Sequence, residues 1–387
     1  MKETKQKGAA LIIFAVIFAL AATAFLISQL DASGVKIERD KKTALALAEA
    51  KSALIGSVVS INNIAVPGYL PNPDLKLGAS VEGRQALSFG AVDISLIGKF
   101  PWRDLGVSPL RDGWNECLWY IVSGRFKNSP STAEFNWDTL GQITVIDGAG
   151  NIIASNLVAL IISPGALLSG QDRQLGATDT PQCGGNYDVR NYLDSHSSLN
   201  AVAGEVNYFA GSALNRQAPN TDVKKFVLAK NDFYNDQFSF VTADEVFRPL
   251  IRRSDFSVQI TALLEDAYFQ TVAITGNKGT GSVVCNLLLP ANQTFCKNWK
   301  EMLLITDLPM PAPIFIDEVQ TSDCKRVLIF GGQKTDAQVR DTLVNKDNAA
   351  NYLEDVNLVS FNTHSNGFNG SSSFKASNSS ADILRCL

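Results

Sequence analysis

Six cysteines carry the most specific chemistry in this 387-residue sequence: Cys117, Cys183, Cys285, Cys296, Cys324 and Cys386. No two of them stand as Cys-x-x-Cys, and His196 and His364 are the only imidazoles. That spacing does not favour a zinc site. An even count fits three disulfides in an oxidising compartment; in a reducing one the same residues would be buried thiols. Many pairings are open. Cys285–Cys296 would close a short loop, Cys324–Cys386 would staple the C-terminus, and Cys117–Cys183 is the remainder.

Catalytic chemistry is thinly supplied. The two histidines lie far apart in Ser/Asn-rich stretches, and no Gly-x-Ser-x-Gly, His-Glu-x-x-His or phosphate-loop signature occurs. Carboxylates are plentiful, so residue types alone leave a two-carboxylate hydrolase open as a rival, but no pair selects itself. The expectation is a non-enzyme with no cofactor and no catalytic residues. Asp147 and Asn151 flank a Gly-Ala-Gly turn. They are the only candidate calcium ligands, set against a plain hairpin turn between apolar runs. Trp102, Trp114, Trp119 and Tyr120 form either a sugar platform or core. Alternation from Cys117 to Phe126 favours a half-buried strand.

Two distant stretches resemble each other. VALIISPGALLSGQDRQ followed by NYLD parallels KRVLIFGGQKTDAQVRD followed by NYLE. Gly165 matches Gly332, Gln171 matches Gln338, and Arg173 matches Arg340. Asn191-Tyr192-Leu193-Asp194 matches Asn351-Tyr352-Leu353-Glu354, and upstream Val145-Ile146-Asp147 matches Phe315-Ile316-Asp317. Each copy reads as a strand, a glycine turn, a Gln-x-Arg and an Asn-Tyr-Leu-acid. Either the two arginines offer forked donors to a carboxylate ligand, or each pairs with its own Asp194 or Glu354 and pins a loop.

These groups need elements to hold them. The chain opens MKETKQKGAALIIFAVIFALAATAFLISQLD, with no charge from Ala9 to Leu30. A helix over that run is about 33 Å long, against a hydrocarbon core of about 30 Å. A secretory signal has a shorter apolar stretch, although Ala22-Thr23-Ala24 imitates its cleavage site. Lys2, Lys5 and Lys7 place the N-terminus in the cytoplasm. A net charge of −4 gives no reason to expect nucleic acid. Beyond Asp31, Leu47, Ala50, Leu54, Val58 and Ile61 form an apolar stripe at helical spacing. Gly34 is a point where the rod can bend, and Pro67-Gly68 ends it. Further on, Thr242-x-x-Glu245 is a capping box with Val241 and Val246 as its staple, so a helix starts at Thr242 and Pro249 kinks it. Arg248, Arg252 and Arg253 on it face either a partner or solvent. The Ser/Asn/Gly-rich tail reads as a loop, anchored if Cys386 pairs.

The basic leader ending in Lys7-Gly8, the apolar run and the amphipathic continuation resemble the type IV pilins and the pseudopilins of type II secretion. Stretches such as VPGYLPNPD, PWRDLGVSPLRDGWNECLWY and FVTADEVF, in that order, are similar to those of large pilin-like proteins. The resemblance implies cleavage by a prepilin peptidase between Gly8 and Ala9, and a helix that stays in the inner membrane and bundles with other subunits. The head would be periplasmic until assembly. The family usually carries glutamate at the fifth mature position; here Ile13 stands there, as in tip pseudopilins and some minor pilins that also lack it. The implied protein is a non-catalytic minor subunit, tip or initiator; the alternative is a single-pass, membrane-tethered binding or adhesion protein. The expected fold is α+β, with a leader (1–8), a membrane half-helix (9–30) and an amphipathic half-helix (31–66). A mainly antiparallel β head with an approximate duplication follows: a first lobe (67–241), a connecting helix (242–272) and a second lobe (273–387).

Overall fold

A computed structural model describes residues 9–60, 68–76, 81–132, 134–174, 182–196, 202–209, 224–273, 283–370 and 382–387, without the side chains of 9–17, 19–32 and 309. The leader, Ile61 and Pro67 lie outside them.

Helix α1 runs unbroken from Ala9 to Val59, through Gly34. Among the described residues no helix is long and apolar enough to cross a membrane; the side chains of the charge-free run fall outside them, apart from Phe18. Val35 and Ile37 are exposed, and burial begins at Thr43. From there Ala46, Leu47, Ala50, Leu54 and Val58 are buried, a stripe that returns every three or four residues because α1 lies on a sheet.

The first lobe contains β1 (Leu96–Lys99), β2 (Trp119–Val122), β3 (Ile143–Asp147), β4 (Ile152–Leu157), β5 (Ala159–Ser163), β6 (Lys224–Leu228) and β7 (Gln237–Val241). One antiparallel sheet has the order β1-β2-β5-β7, and a second has the order β4-β3-β6, with β3 and β6 parallel. Helices α2 (Ala243–Ile251), α3 (Ser254–Leu264), α4 (Tyr268–Thr271) and α5 (Pro290–Trp299) lead to the second lobe. That lobe has β8 (Leu303–Ile316), β9 (Val319–Phe330), α6 (Leu343–Lys346), α7 (Asp355–Thr363), β10 (Gly367–Phe368) and β11 (Ile383–Cys386). Its sheet has the order β10-β8-β9-β11, with β10 parallel to β8. The architecture is thus mixed α+β with mostly antiparallel sheets.

The two lobes trace the same path. The start of β8 (Leu303–Asp307) pairs with the end of β9 as β2 pairs with β5. The end of β8 forms a hairpin with the start of β9 and takes β10 in parallel, as β3 does with β4 and β6. Finally β11 adds antiparallel to the end of β9, as β7 adds to β5. The difference is an insertion: residues 123–142 separate β2 from β3, whereas β8 is continuous.

β2 is buried on both faces, not half-buried. Leu118, Tyr120 and Val122 join the core beneath α1, while Trp119 and Ile121 join a second core shared with β3 and β6. The sheet is sandwiched between a helix and another sheet, so its alternation is apolar against apolar. The core under α1 continues through Phe135, Phe247, Phe256 and Trp299 to Phe330, so one core serves both lobes.

The connecting region is three helices rather than one kinked helix. Thr242 caps α2 as expected: its hydroxyl accepts from Glu245 N (3.3 Å) and Glu245 Oε2 accepts from Thr242 N (3.0 Å). Val241 and Val246 are both buried in the same core. Pro249 lies in the last turn of α2, and Arg253 is extended, its guanidinium on the Val59 carbonyl (2.7 Å) and on Asp255. Asp266 closes α3 by accepting from Tyr268 N (3.0 Å), Leu289 N (3.0 Å) and Asn292 Nδ2 (2.8 Å). These bonds take up groups that the helix ends leave without intrahelical partners. Arg248 pairs with Asp244, and Arg252 is exposed.

All six cysteines are paired: Cys117–Cys183, Cys285–Cys296 and Cys324–Cys386.

Candidate functional site

Each repeat ends in an arginine knot that shares three bonds with the other. Arg173 donates from Nε to the Asn191 carbonyl (2.9 Å), from Nη1 to the Gly165 carbonyl (2.9 Å) and from Nη2 to Gln171 Oε1 (2.8 Å). Arg340 donates from Nε to the Asn351 carbonyl (2.5 Å), from Nη1 to the Gly332 carbonyl (3.0 Å) and from Nη2 to Gln338 Oε1 (2.9 Å). The guanidinium carbons stand 5.1 Å and 4.2 Å from the ring centres of Tyr192 and Tyr352. Gln171 Oε1 also accepts from Leu168 N and Gln338 Oε1 from Thr335 N, both at 3.0 Å. Asn191 and Asn351 each end a 3₁₀ turn and accept, at 3.1 Å, an amide from the Gln-x-Arg segment.

A guanidinium with its donors on carbonyls inside the fold has little left for a ligand. The arginines pin loops, but not through the acids of their own repeats. Arg173 meets Glu116 at 3.4 Å and Arg340 meets Asp138 at 3.1 Å, both from outside the repeats. Asp194 instead turns to the entrance of β7, where its Oδ2 accepts from Asn235 N (2.5 Å) and Asp236 N (2.7 Å). Glu354 accepts from Gln338 Nε2 (2.7 Å). Backbone amides and a neutral side-chain amide are the nearer donors to those acids.

A buried acid precedes the last strand of each lobe: Asp236 before β7 and Asp382 before β11. An asparagine serves each, with Asn207 Nδ2 on Asp236 Oδ2 (3.0 Å) and Asn357 Nδ2 on Asp382 Oδ2 (2.8 Å). Burial pushes the Asp382 carboxyl up to about 7; the Asn357 bond opposes this and the neighbouring Glu354 adds to it, with Gly332 N and Arg340 opposing. Because the folded value lies above the unfolded one, the folded state holds a proton that the unfolded chain has lost. Asp382 therefore contributes stability that is complete below about pH 4 and is lost as pH rises toward 7. Urea unfolding across this window should show a falling component of at most about 1.4 kcal/mol per pH unit, and D382N should flatten it. An unchanged slope in that variant would refute the assignment.

The other sequence candidates have structural partners. Asp147 Oδ1 accepts from Ala149 N and Asn151 N, both at 2.8 Å, and Oδ2 accepts from Asn151 Nδ2 (2.9 Å). The pair closes the β3–β4 hairpin, and the Asn151 bonds hold the Asp147 carboxyl below its usual range. Trp102, Trp119 and Tyr120 are core, while Trp114 is half-buried. His196 stacks on Phe233 at 4.0 Å, and His364 Nδ1 lies 3.0 Å from the Asp307 carbonyl oxygen. His364 Nδ1 also lies 3.3 Å from the Thr306 hydroxyl. Gly8 lies outside the described residues, and Ala9 and Ile13 are helical in backbone.

Sequence spacing did not point to two cavities. One, of about 270 Å³, is lined by Arg125, Glu134, Asp138, Glu301, Arg340 and Lys346, among others, at the junction of the lobes. Its charges are largely matched: Glu301 with Lys346 (2.8 Å), Glu134 with Lys300 (2.5 Å) and Asp138 with Arg340. The other, of about 490 Å³, lies between α1 and the β6–β7 connection, against Trp114. Among the described residues no cluster of three or more His, Cys, Asp or Glu is placed to hold a metal ion. No family model matches the chain, and neither a curated protein nor a solved structure matches it.

Proposed function

We propose that the chain is a pilin-like minor subunit of a type IV pilus or type II secretion pseudopilus, acting near a filament tip without catalysis. The observation that carries this reading is α1: one rod from Ala9 to Val59 with an uncharged first part in sequence and a second part seated on an antiparallel sheet. A rod of that form joins a lipid-facing or bundle-facing segment rigidly to a head. Three disulfides in the head suit an exported compartment. Ile13 in place of an acid suits a subunit that does not need to dock beneath an earlier one, since an unpartnered carboxylate there would be costly. The arginine knots spend their donors on carbonyls within the fold, in keeping with a structural role.

The test is the mature N-terminus, measured by mass spectrometry after expression with and without a prepilin peptidase. A peptidase-dependent start at Ala9 is expected. Gly8→Ala should retain some processing, and a bulky residue at position 8 should abolish it. A start beyond Leu20 would mean ordinary secretion, and no cut at all would favour the tethered binding protein; either refutes the pilin reading.

A further inference from the structure

The cavity at the junction of the lobes comes from the one place where their paths differ. Residues 123–142, which separate β2 from β3 where β8 is continuous, supply Arg125, Thr132, Glu134, Asp138, Thr139 and Leu140 to its wall. Glu301, Lys346 and residues 340–343 of the second lobe supply the rest. The inserted stretch is fastened to the second lobe. Phe135 N donates to Asn298 Oδ1 (3.2 Å), and Asn136 Nδ2 donates to the Asn298 carbonyl (3.0 Å) and to Glu301 Oε2 (3.1 Å). Phe135 itself is fully buried, so the core anchors this wall.

One cation on the wall has no counter-charge. Glu134 pairs with Lys300 (2.5 Å), Asp138 with Arg340 (3.1 Å) and Glu301 with Lys346 (2.8 Å). Asp341 is exposed and accepts from Asn345 Nδ2 (2.6 Å). The half-buried Arg125 is left over. Its backbone amide donates to Gln142 Oε1 (3.3 Å), but its guanidinium meets no acid, carbonyl or ring among the described residues. Every other described arginine holds such a group, except Arg252, which is exposed. Two hydroxyls on the same wall also have donors to give. Thr139 Oγ1 accepts from Asn136 N (3.1 Å) and Thr342 Oγ1 from Asn345 N (3.2 Å), which leaves each hydroxyl proton free for a ligand.

We propose that this cavity binds a small hydroxylated monocarboxylate of the sugar-acid class, with Arg125 receiving the carboxylate. The planar guanidinium presents paired donors that match a carboxylate, and Thr139 and Thr342 add neutral ones. Glu134 and Asp341 are acceptors for the hydroxyls of the same ligand. The acids also limit its charge. The three ion pairs cancel, so Arg125 answers one negative charge. A dianion would meet four carboxylates with no further cation to offset them. The volume, about 270 Å³, compares with about 30 Å³ for one water in the liquid, which gives room for about ten non-hydrogen atoms. Erythronate is of that size. The inference does not depend on the filament proposal.

Detergent-solubilised full-length protein is titrated calorimetrically with erythronate, with erythritol, which lacks the carboxylate, with butyrate, which lacks the hydroxyls, and with inorganic phosphate. Saturable binding of erythronate is expected, with the other three at least about tenfold weaker, the worth of one charge-assisted hydrogen bond. Arg125→Gln should weaken erythronate by a similar factor and leave Tm unchanged, because the guanidinium holds nothing in the fold. Arg125→Lys should recover part of the affinity. Leu343→Glu provides a second route: Leu343 lines the cavity and is 79% exposed, so the new charge should repel the ligand without disturbing the core. No saturation at roughly 10 mM erythronate, equal binding of erythritol, butyrate or phosphate, or affinity unchanged in both Arg125→Gln and Leu343→Glu would overturn the proposal.

Discussion

Arg340→Ala is expected to lower stability by about 3–5 kcal/mol, the cost of stripping one partner from a buried ion pair. The Arg340 side chain is 0% exposed and Asp138 is 3% exposed, so deletion strands a carboxylate in the interior. It also leaves the Gly332 and Asn351 carbonyls without this donor, while Gln338 Oε1 keeps only the Thr335 amide. Arg340→Lys should rescue little, because one ammonium cannot span a fork of four acceptors or stack on Tyr352. Arg173→Ala is the matched comparison, with the same carbonyls and the same tyrosine. Its acidic partner, Glu116, is 27% exposed and stays hydrated after the deletion. The expected loss there is smaller, about 1–3 kcal/mol. Urea unfolding of the three variants decides it, and equal losses for Arg173→Ala and Arg340→Ala would show that the buried pair is not the source.

The second large effect concerns disulfides. Removing Cys117–Cys183, which joins residues 66 apart, should cost about 4 kcal/mol in the chain-entropy account. Removing Cys285–Cys296, whose members are 11 apart, should cost about 3 kcal/mol. The local bonds widen the gap. Glu82 accepts from Gln182 N and Cys183 N, both at 2.7 Å, and Lys99 Nζ reaches the Gly184 carbonyl (3.1 Å) between the Tyr187 and Tyr192 rings. Losing the long bridge frees this segment along with the covalent link. Paired Cys→Ser variants, compared by thermal unfolding, test the order; a larger loss from the short loop would contradict it.

The lesson for reading such a chain lies in which features are local. Thr242 and Glu245 cap a helix because the two groups are three residues apart, and no distant residue is needed to place them. Asp147 closes its hairpin for the same reason. The stripe from Leu47 to Val58 announces a buried face through periodicity alone. Even the repeat was legible, because its glycine, glutamine, arginine and tyrosine keep their order in both lobes.

The identity of each charge's partner was not legible. Both arginines looked suited to Asp194 and Glu354, the acids of their own repeats, yet they meet Glu116 and Asp138. Asp40 and Asp236 carry no shared motif, and only the packing of α1 against the β6–β7 connection brings them to one cavity. The sequence by itself determined the helix start at Thr242, the Asp147 turn and the apolar face of the rod, since these follow from spacing and from the short reach of hydrogen bonds. The tertiary structure alone decided the counter-charges, the sandwiching of β2 and which of the open cysteine pairings is made. Electrostatic and packing partners are chosen by distance in space after collapse, and no separation along the chain encodes that distance.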